Sequence, residues 1–72
     1  RYWALVWLSR QTDQVFEALV VARRPAGYVV ELQPYGLRGL LATGDVLVPG
    51  TLLEVRIEAV DPRRGSLRLE RA

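Results

Sequence analysis

The sequence predicts an all-β fold, a five-stranded Greek-key barrel preceded by a short amino-terminal helix. Three observations carry this expectation. Short runs of period-two alternation recur along the 72 residues, as strands with one buried face require. Turn signals built on Gly, Pro and Asp separate those runs at close intervals. The stretch from Tyr2 to Leu8 does not alternate but is apolar all round, the pattern of a helix covered on several sides.

Composition sets the limits. At this length a single domain buries only about 60% of the surface its unfolded chain exposes, so its stability is modest. Half of the residues are hydrophobic, and the chain has neither Cys nor His. A disulfide framework, a thiolate metal site and Ser–His or Cys–His nucleophilic chemistry are therefore excluded. The net charge is +2, from ten basic residues, all Arg, against eight acids, a weak lean toward an anionic partner. No apolar run reaches the roughly 20 residues that a membrane-spanning helix needs, and no signal-peptide pattern is visible.

The elements follow in order. Residues 1–10 read as a terminal helix, with Trp3 and Trp7 on one face and Leu5 and Leu8 on another. A domain of this size covers one such face, so the expectation is the last turns of a preceding domain packed at a junction, or a local helix that closes one barrel end. Residues 11–14 are a polar linker, and 15–72 form the barrel. Val15 to Arg23 is a first strand, with Ala18, Val20 and Ala22 inward and Glu17, Leu19, Val21 and Arg23 outward. Arg24 to Gly27 turns the chain. Tyr28, Val30 and Leu32 then alternate with Val29 and Glu31 in a second strand. Pro34-Tyr35-Gly36 suits a tight reversal. Leu37 to Leu41 is a third strand, with Gly39 placed where a side chain would crowd a neighbour. After a short connection, Leu52 to Asp61 is the clearest strand, with Leu53, Val55, Ile57 and Ala59 inward. Asp61-Pro62-Arg63-Arg64-Gly65 is a hairpin loop with Gly at the position needing positive φ, and Ser66 to Arg71 is the fifth strand.

Charge fixes a register for that last hairpin. With Asp61 opposite Gly65, Glu58 faces Arg68 and Arg56 faces Glu70, while Ile57 meets Leu69 and Ala59 meets Leu67. Both faces are satisfied at once. Glu54 and Glu58 are then ion-pair partners, not a hydrolytic dyad. Four residues of strand separate their backbones by about 13 Å, whereas paired-carboxylate hydrolysis needs about 5–9.5 Å. No catalytic residue is identified, and Asp45 reads as turn chemistry. Five short strands with a terminal helix suit a barrel of the oligonucleotide-binding (OB) type, with an SH3-like barrel as the alternative.

Several motifs occur in a fixed order: Phe16-Glu17-Ala18, Gly27-Tyr28-Val29-Val30-Glu31-Leu32, Tyr35-Gly36-Leu37-Arg38-Gly39-Leu40, and Pro49-Gly50 leading to Val55-Arg56-Ile57 and Val60-Asp61. This order resembles the S-one type RNA-binding domain, an OB-fold module. The preceding Arg1-Tyr2-Trp3 with Leu5 and Leu8 is similar to the final helix of an RNB catalytic domain. Together they resemble the carboxyl end of the ribonuclease II/RNase R exoribonucleases. The resemblance implies an accessory domain that guides single-stranded RNA to a catalytic domain absent from this chain. It also implies a cytoplasmic parent that degrades RNA from its 3′ end with Mg²⁺ held by aspartates outside this chain; within the chain no cofactor and no metal site is expected. Counting from Gly27 and Gly39, Val29 and Ala42 stand where family members usually carry an exposed aromatic and a His.

On this reading the RNA-contacting candidates are Arg23, Arg24, Arg38, Tyr35, Arg63 and Arg64. Arg23 and Arg38 fall outward on the first and third strands, Arg24 begins the turn beside them, and Arg63 and Arg64 sit at a loop tip. Guanidinium groups bind phosphate bidentately and stack on bases. Trp3, Trp7, Leu19, Val21 and Val29 are candidates for interdomain contact. Leu40 joins the last three in an outward apolar surface that docks the amino-terminal helix or a catalytic domain. A protein-interaction barrel using that surface, with little affinity for RNA, is the competing expectation.

Overall fold

Each alternating strand offers one apolar face, and closing the sheet on itself is what brings five such faces together. The computed structural model describes residues 2–11, 13–33 and 35–72. The parts of the expected helix, linker and turn that fall on Arg1, Thr12 and Pro34 lie outside the described residues. Helix α1 (Tyr2–Leu8) precedes β1 (Val15–Arg24), β2 (Gly27–Gln33), β3 (Leu37–Leu41), β4 (Leu52–Asp61) and β5 (Ser66–Arg71). The strands close a barrel in the order β1-β2-β3-β5-β4. Every neighbouring pair is antiparallel except β3 and β5, which run parallel. The fold is therefore the expected five-stranded barrel of OB type with a short amino-terminal helix.

One core fills it. Ala18 and Val20 of β1, Val30 and Leu32 of β2, Leu41 of β3, Val55 of β4 and Leu69 of β5 are all buried in a single cluster. Gly39 lets the parallel pair close, because a Cβ there would lie 2.8 Å from both the side chain and the carbonyl oxygen of Leu67. Helix α1 belongs to this core. Leu5 and Leu8 are fully buried within it, while Trp3 stays 77% exposed on the far side. Burying each leucine is worth about 1.5–3 kcal/mol. The helix stops where Ser9, Arg10 and Gln11 donate their N–H groups to the carbonyls of Leu5, Trp7 and Leu8. Ser9 Oγ donates to the carbonyl of Val6 at 2.6 Å, so the last turn leaves few orphan acceptors.

The two ten-residue strands each serve two neighbours, and each carries a bulge. β1 pairs with β4 over Val15–Leu19 and with β2 from Glu17 onward; its register shifts between Val20 and Ala22. β4 pairs with β1 over Leu52–Arg56 and with β5 from Val55 onward; its register shifts between Ile57 and Ala59. Strict alternation misses both, because one extra residue transfers all that follow to the other face. Ala22, expected inward, stands opposite Val29 on the outer face, and Arg23 stands opposite Tyr28 on the inner side. Ala59, expected to meet Leu67, stands opposite Arg68; Val60 meets Leu67, and Asp61 meets Ser66 instead of Gly65. The expected Arg56–Glu70 and Ile57–Leu69 pairings hold. So does the Glu58–Arg68 ion pair, at 3.6 Å across the bulge.

If α1 is part of the core, truncating it must cost as much as truncating a strand. Leu8→Ala is expected to destabilise the domain by about 2–5 kcal/mol in urea unfolding, comparable to Leu69→Ala. A loss within the roughly 0.5 kcal/mol typical of surface changes would make the helix an appendage.

Candidate nucleic-acid interface

The outer wall follows from the register. On β2 and β3, Glu31 stands opposite Arg38 and Val29 opposite Leu40. The parallel pairing sets Arg68 of β5 beside Leu40. On the other side, Leu19 stands opposite Glu31 and Leu52, and Ala22 opposite Val29. The wall is thus an aliphatic strip of half-buried Leu19, Val29 and Leu40 with Leu52, which is 55% exposed. Arg38 and Arg68 are its exposed guanidinium groups. Arg68 was assigned from the sequence only to the ion pair with Glu58. Its place beside Leu40 depends on the parallel β3–β5 contact, which alternation cannot reveal.

The expectation that Arg23 shares this wall with Arg38 is not met. The β1 bulge turns Arg23 to the side of buried Tyr28, at the barrel rim. There Arg23 and Arg24 line a hollow with the β1–β2 turn and Thr43-Gly44-Asp45 of the β3–β4 connection. Gly27 makes that approach possible, because its φ is 145° and a Cβ would run into the carbonyl of Leu41. The connection is held from three sides. Leu47 N–H donates to Tyr28 Oη at 3.0 Å. Asp45 N–H donates to Thr43 Oγ1 at 3.2 Å. Arg71 pairs with Asp45 Oδ2 at 2.7 Å. Asp45 is thus turn chemistry, as expected, and also anchors the end of β5.

The remaining candidates lie apart. Tyr35, in the β2–β3 turn, packs its ring 5.5 Å from Trp7 and 6.0 Å from Phe16, with Trp7 and Phe16 6.5 Å apart. This aromatic cluster joins the helix to the barrel, and the sequence gives no sign of it because its members are distant along the chain. The helix meets β4 and sends Leu5 and Leu8 into the core. Arg63 and Arg64 sit on the β4–β5 hairpin, where both backbone N–H groups donate to Asp61 Oδ1 at 3.2 Å. The Arg64 guanidinium also reaches Asp61 at 3.9 Å. The RNA-contacting candidates therefore occupy four places: Arg38 on the wall, Arg23 and Arg24 at the rim hollow, Tyr35 in the aromatic cluster, and Arg63 and Arg64 on the hairpin. Among the described residues no group of three or more Asp or Glu is placed to hold a metal ion. No described helix is long and apolar enough to cross a membrane.

Residues 14–72 match the family described as the RNase II-type exonuclease C-terminal S1 domain. The chain belongs to this family. A search of the curated proteins finds no match. Among solved structures, this S1 domain is similar to the apo form of Mycoplasma genitalium RNase R, with a TM-score of 0.83 and 17% identity over 99% of this chain and 14% of that one. It is also similar to an active-site mutant of the Dss1 exoribonuclease from Candida glabrata, with a TM-score of 0.79 and 19% identity over 99% of this chain and 10% of that one. These likenesses concern the fold. They extend over the helix, which precedes the segment matched to the family.

Tyr35→Ala is expected to cost about 0.5–1.5 kcal/mol, the worth of an aromatic pair beyond its area. In a Trp3→Phe background, Trp7 emission should shift to the red as its ring neighbour is lost. Unchanged stability and emission would remove Tyr35 from the seam between helix and barrel.

Proposed function

We propose that this S1 domain binds single-stranded RNA and guides it to the catalytic domain of a 3′–5′ exoribonuclease that lies outside this chain. The observation that carries the reading is the outer wall of β2, β3 and β5. It sets both Arg38, two residues along β3, and Arg68, across the parallel pairing, beside Leu40, which is paired with Val29, on a barrel of the family named for RNase II-type exonucleases. Guanidinium groups bind phosphate oxygens bidentately and stack on bases. The aliphatic pair Leu40 and Val29 beside them holds bases without reading them. Stacking on an aromatic contributes roughly 1–3 kcal/mol per base, and Val29 supplies no such ring, so affinity rests on charge. Hydrolysis, Mg²⁺ and a cytoplasmic setting belong in this proposal to the parent enzyme.

A second reading has its own observation. Leu19 pairs with Leu52 and Val29 with Leu40 on the same outer wall, and such apolar pairs suit a protein contact as well as a base. In that case the barrel docks another domain and has little affinity for RNA.

Titration of a labelled oligouridylate with the 72-residue chain separates the two. RNA guidance predicts binding that weakens steeply as salt rises, and Arg38→Gln should lower the slope of log K against log salt by about 1. Binding absent even at low salt would contradict the RNA reading and favour the docking surface.

A further inference from the structure

The bulge at Val21 gives Arg23 a place that neither alternation nor the outer wall explains. With the register shifted, Arg23 stands opposite Tyr28 and Arg24 opposite Gly27. Both guanidinium-bearing residues are exposed at the mouth of a hollow of about 250 Å³. Bulges characteristically re-aim a side chain at the edge of a barrel. The opposite wall of the hollow is the Thr43–Asp45 turn. It brings one carboxylate, Asp45, and Arg71 meets that charge at 2.7 Å. The hollow therefore keeps the positive charge of Arg23 and Arg24. Arg24 Nη1 donates to the backbone carbonyl of Arg23 at 3.2 Å, which leaves further guanidinium N–H groups to donate outward. Tyr28 Oη is occupied as acceptor from Leu47, which fixes the floor.

We propose that this rim hollow is a phosphate-binding subsite, separate from the outer wall, which holds one phosphate group of a polynucleotide through Arg23 and Arg24. Its chemistry is a paired guanidinium clamp on a single oxyanion. The same chemistry would accept a terminal monoester or an internal diester. The hollow rests on the RNA-binding reading for its biological ligand, but its test stands apart from that reading. If both surfaces take the same strand, the hollow sets the register of one phosphate and the wall takes the nucleotides beside it.

The test is an NMR titration of the 72-residue chain with uridine 5′-monophosphate, with the dinucleotide UpU, and with uridine. The subsite predicts shifts at the Gly27, Gly44 and Asp45 amides and the Arg23 Nε with the two phosphate-bearing probes, and none there with uridine. Arg23→Gln with Arg24→Gln should abolish these shifts, whereas Arg38→Gln should keep them. A response to the monophosphate alone assigns a terminal phosphate; a response to both assigns any backbone phosphate. In the oligouridylate titration the double variant should lower the salt slope by about 1–2. Shifts confined to Arg38 and Leu40, or equal responses to uridine and its monophosphate, would overturn the subsite while leaving the wall intact. A hollow that responds to phosphate in a chain that binds no oligouridylate would sink the RNA reading and overturn the polynucleotide as the hollow's ligand, leaving a site for free phosphate esters.

Discussion

The extra residue in β1 is the constraint on which the rest of this barrel depends. Ten residues of one strand must run along β4 and then along β2. A straight strand cannot follow both neighbours round so small a cylinder. The bend falls at Val20, whose N–H donates to the Thr51 carbonyl and whose carbonyl accepts from Gly50, while Val21 stands out of register. The second ten-residue strand repeats the device at Glu58, just past the point where it leaves β1 for β5. Closure and the exchange of partners are thus one event at each bend. The core between them is continuous, and α1 seals it with Leu5 and Leu8.

That constraint also sorts the surface. Before the bend, alternation keeps Leu19 on the outer wall; after it, Ala22 takes the outward place and Arg23 goes to the rim. The wall becomes an aliphatic strip with Arg38 and Arg68 upon it, and the rim becomes a concave site with two arginines. Positive charge is divided between a flat surface and a hollow, and three of the eight acids have structural partners. Asp61 organises its hairpin, Asp45 ties the β3–β4 connection to Arg71, and Glu58 answers Arg68. A net charge of only +2 therefore understates the local positive charge at the rim.

Much of this was legible in the chain itself. Alternation through Tyr28, Val30 and Leu32 and through Leu53, Val55 and Ile57 located the strands and their buried faces, because burial on one side enforces period two. The clean apolar run at Tyr2–Leu8 located the helix, and Leu5 and Leu8 are its buried pair. What alternation could not show was where it breaks. Nothing in Val20-Val21-Ala22 distinguishes a bulge from an unbroken strand, since all three are small and apolar. Ala59 and Val60 are equally interchangeable. The misplacement of Arg23 follows directly from that ambiguity. The contact of Arg68 with Leu40 and the Trp7–Phe16–Tyr35 cluster are products of topology, which joins residues far apart in sequence.

The account is tested most directly by cross-strand nuclear Overhauser effects between β1 and β2 in solution. The bulge predicts Ala22 across from Val29 and Arg23 across from Tyr28. Contacts of Val21 with Val29 and of Arg23 with Gly27 would mean an unbroken strand, with Arg23 on the outer wall, and would contradict it.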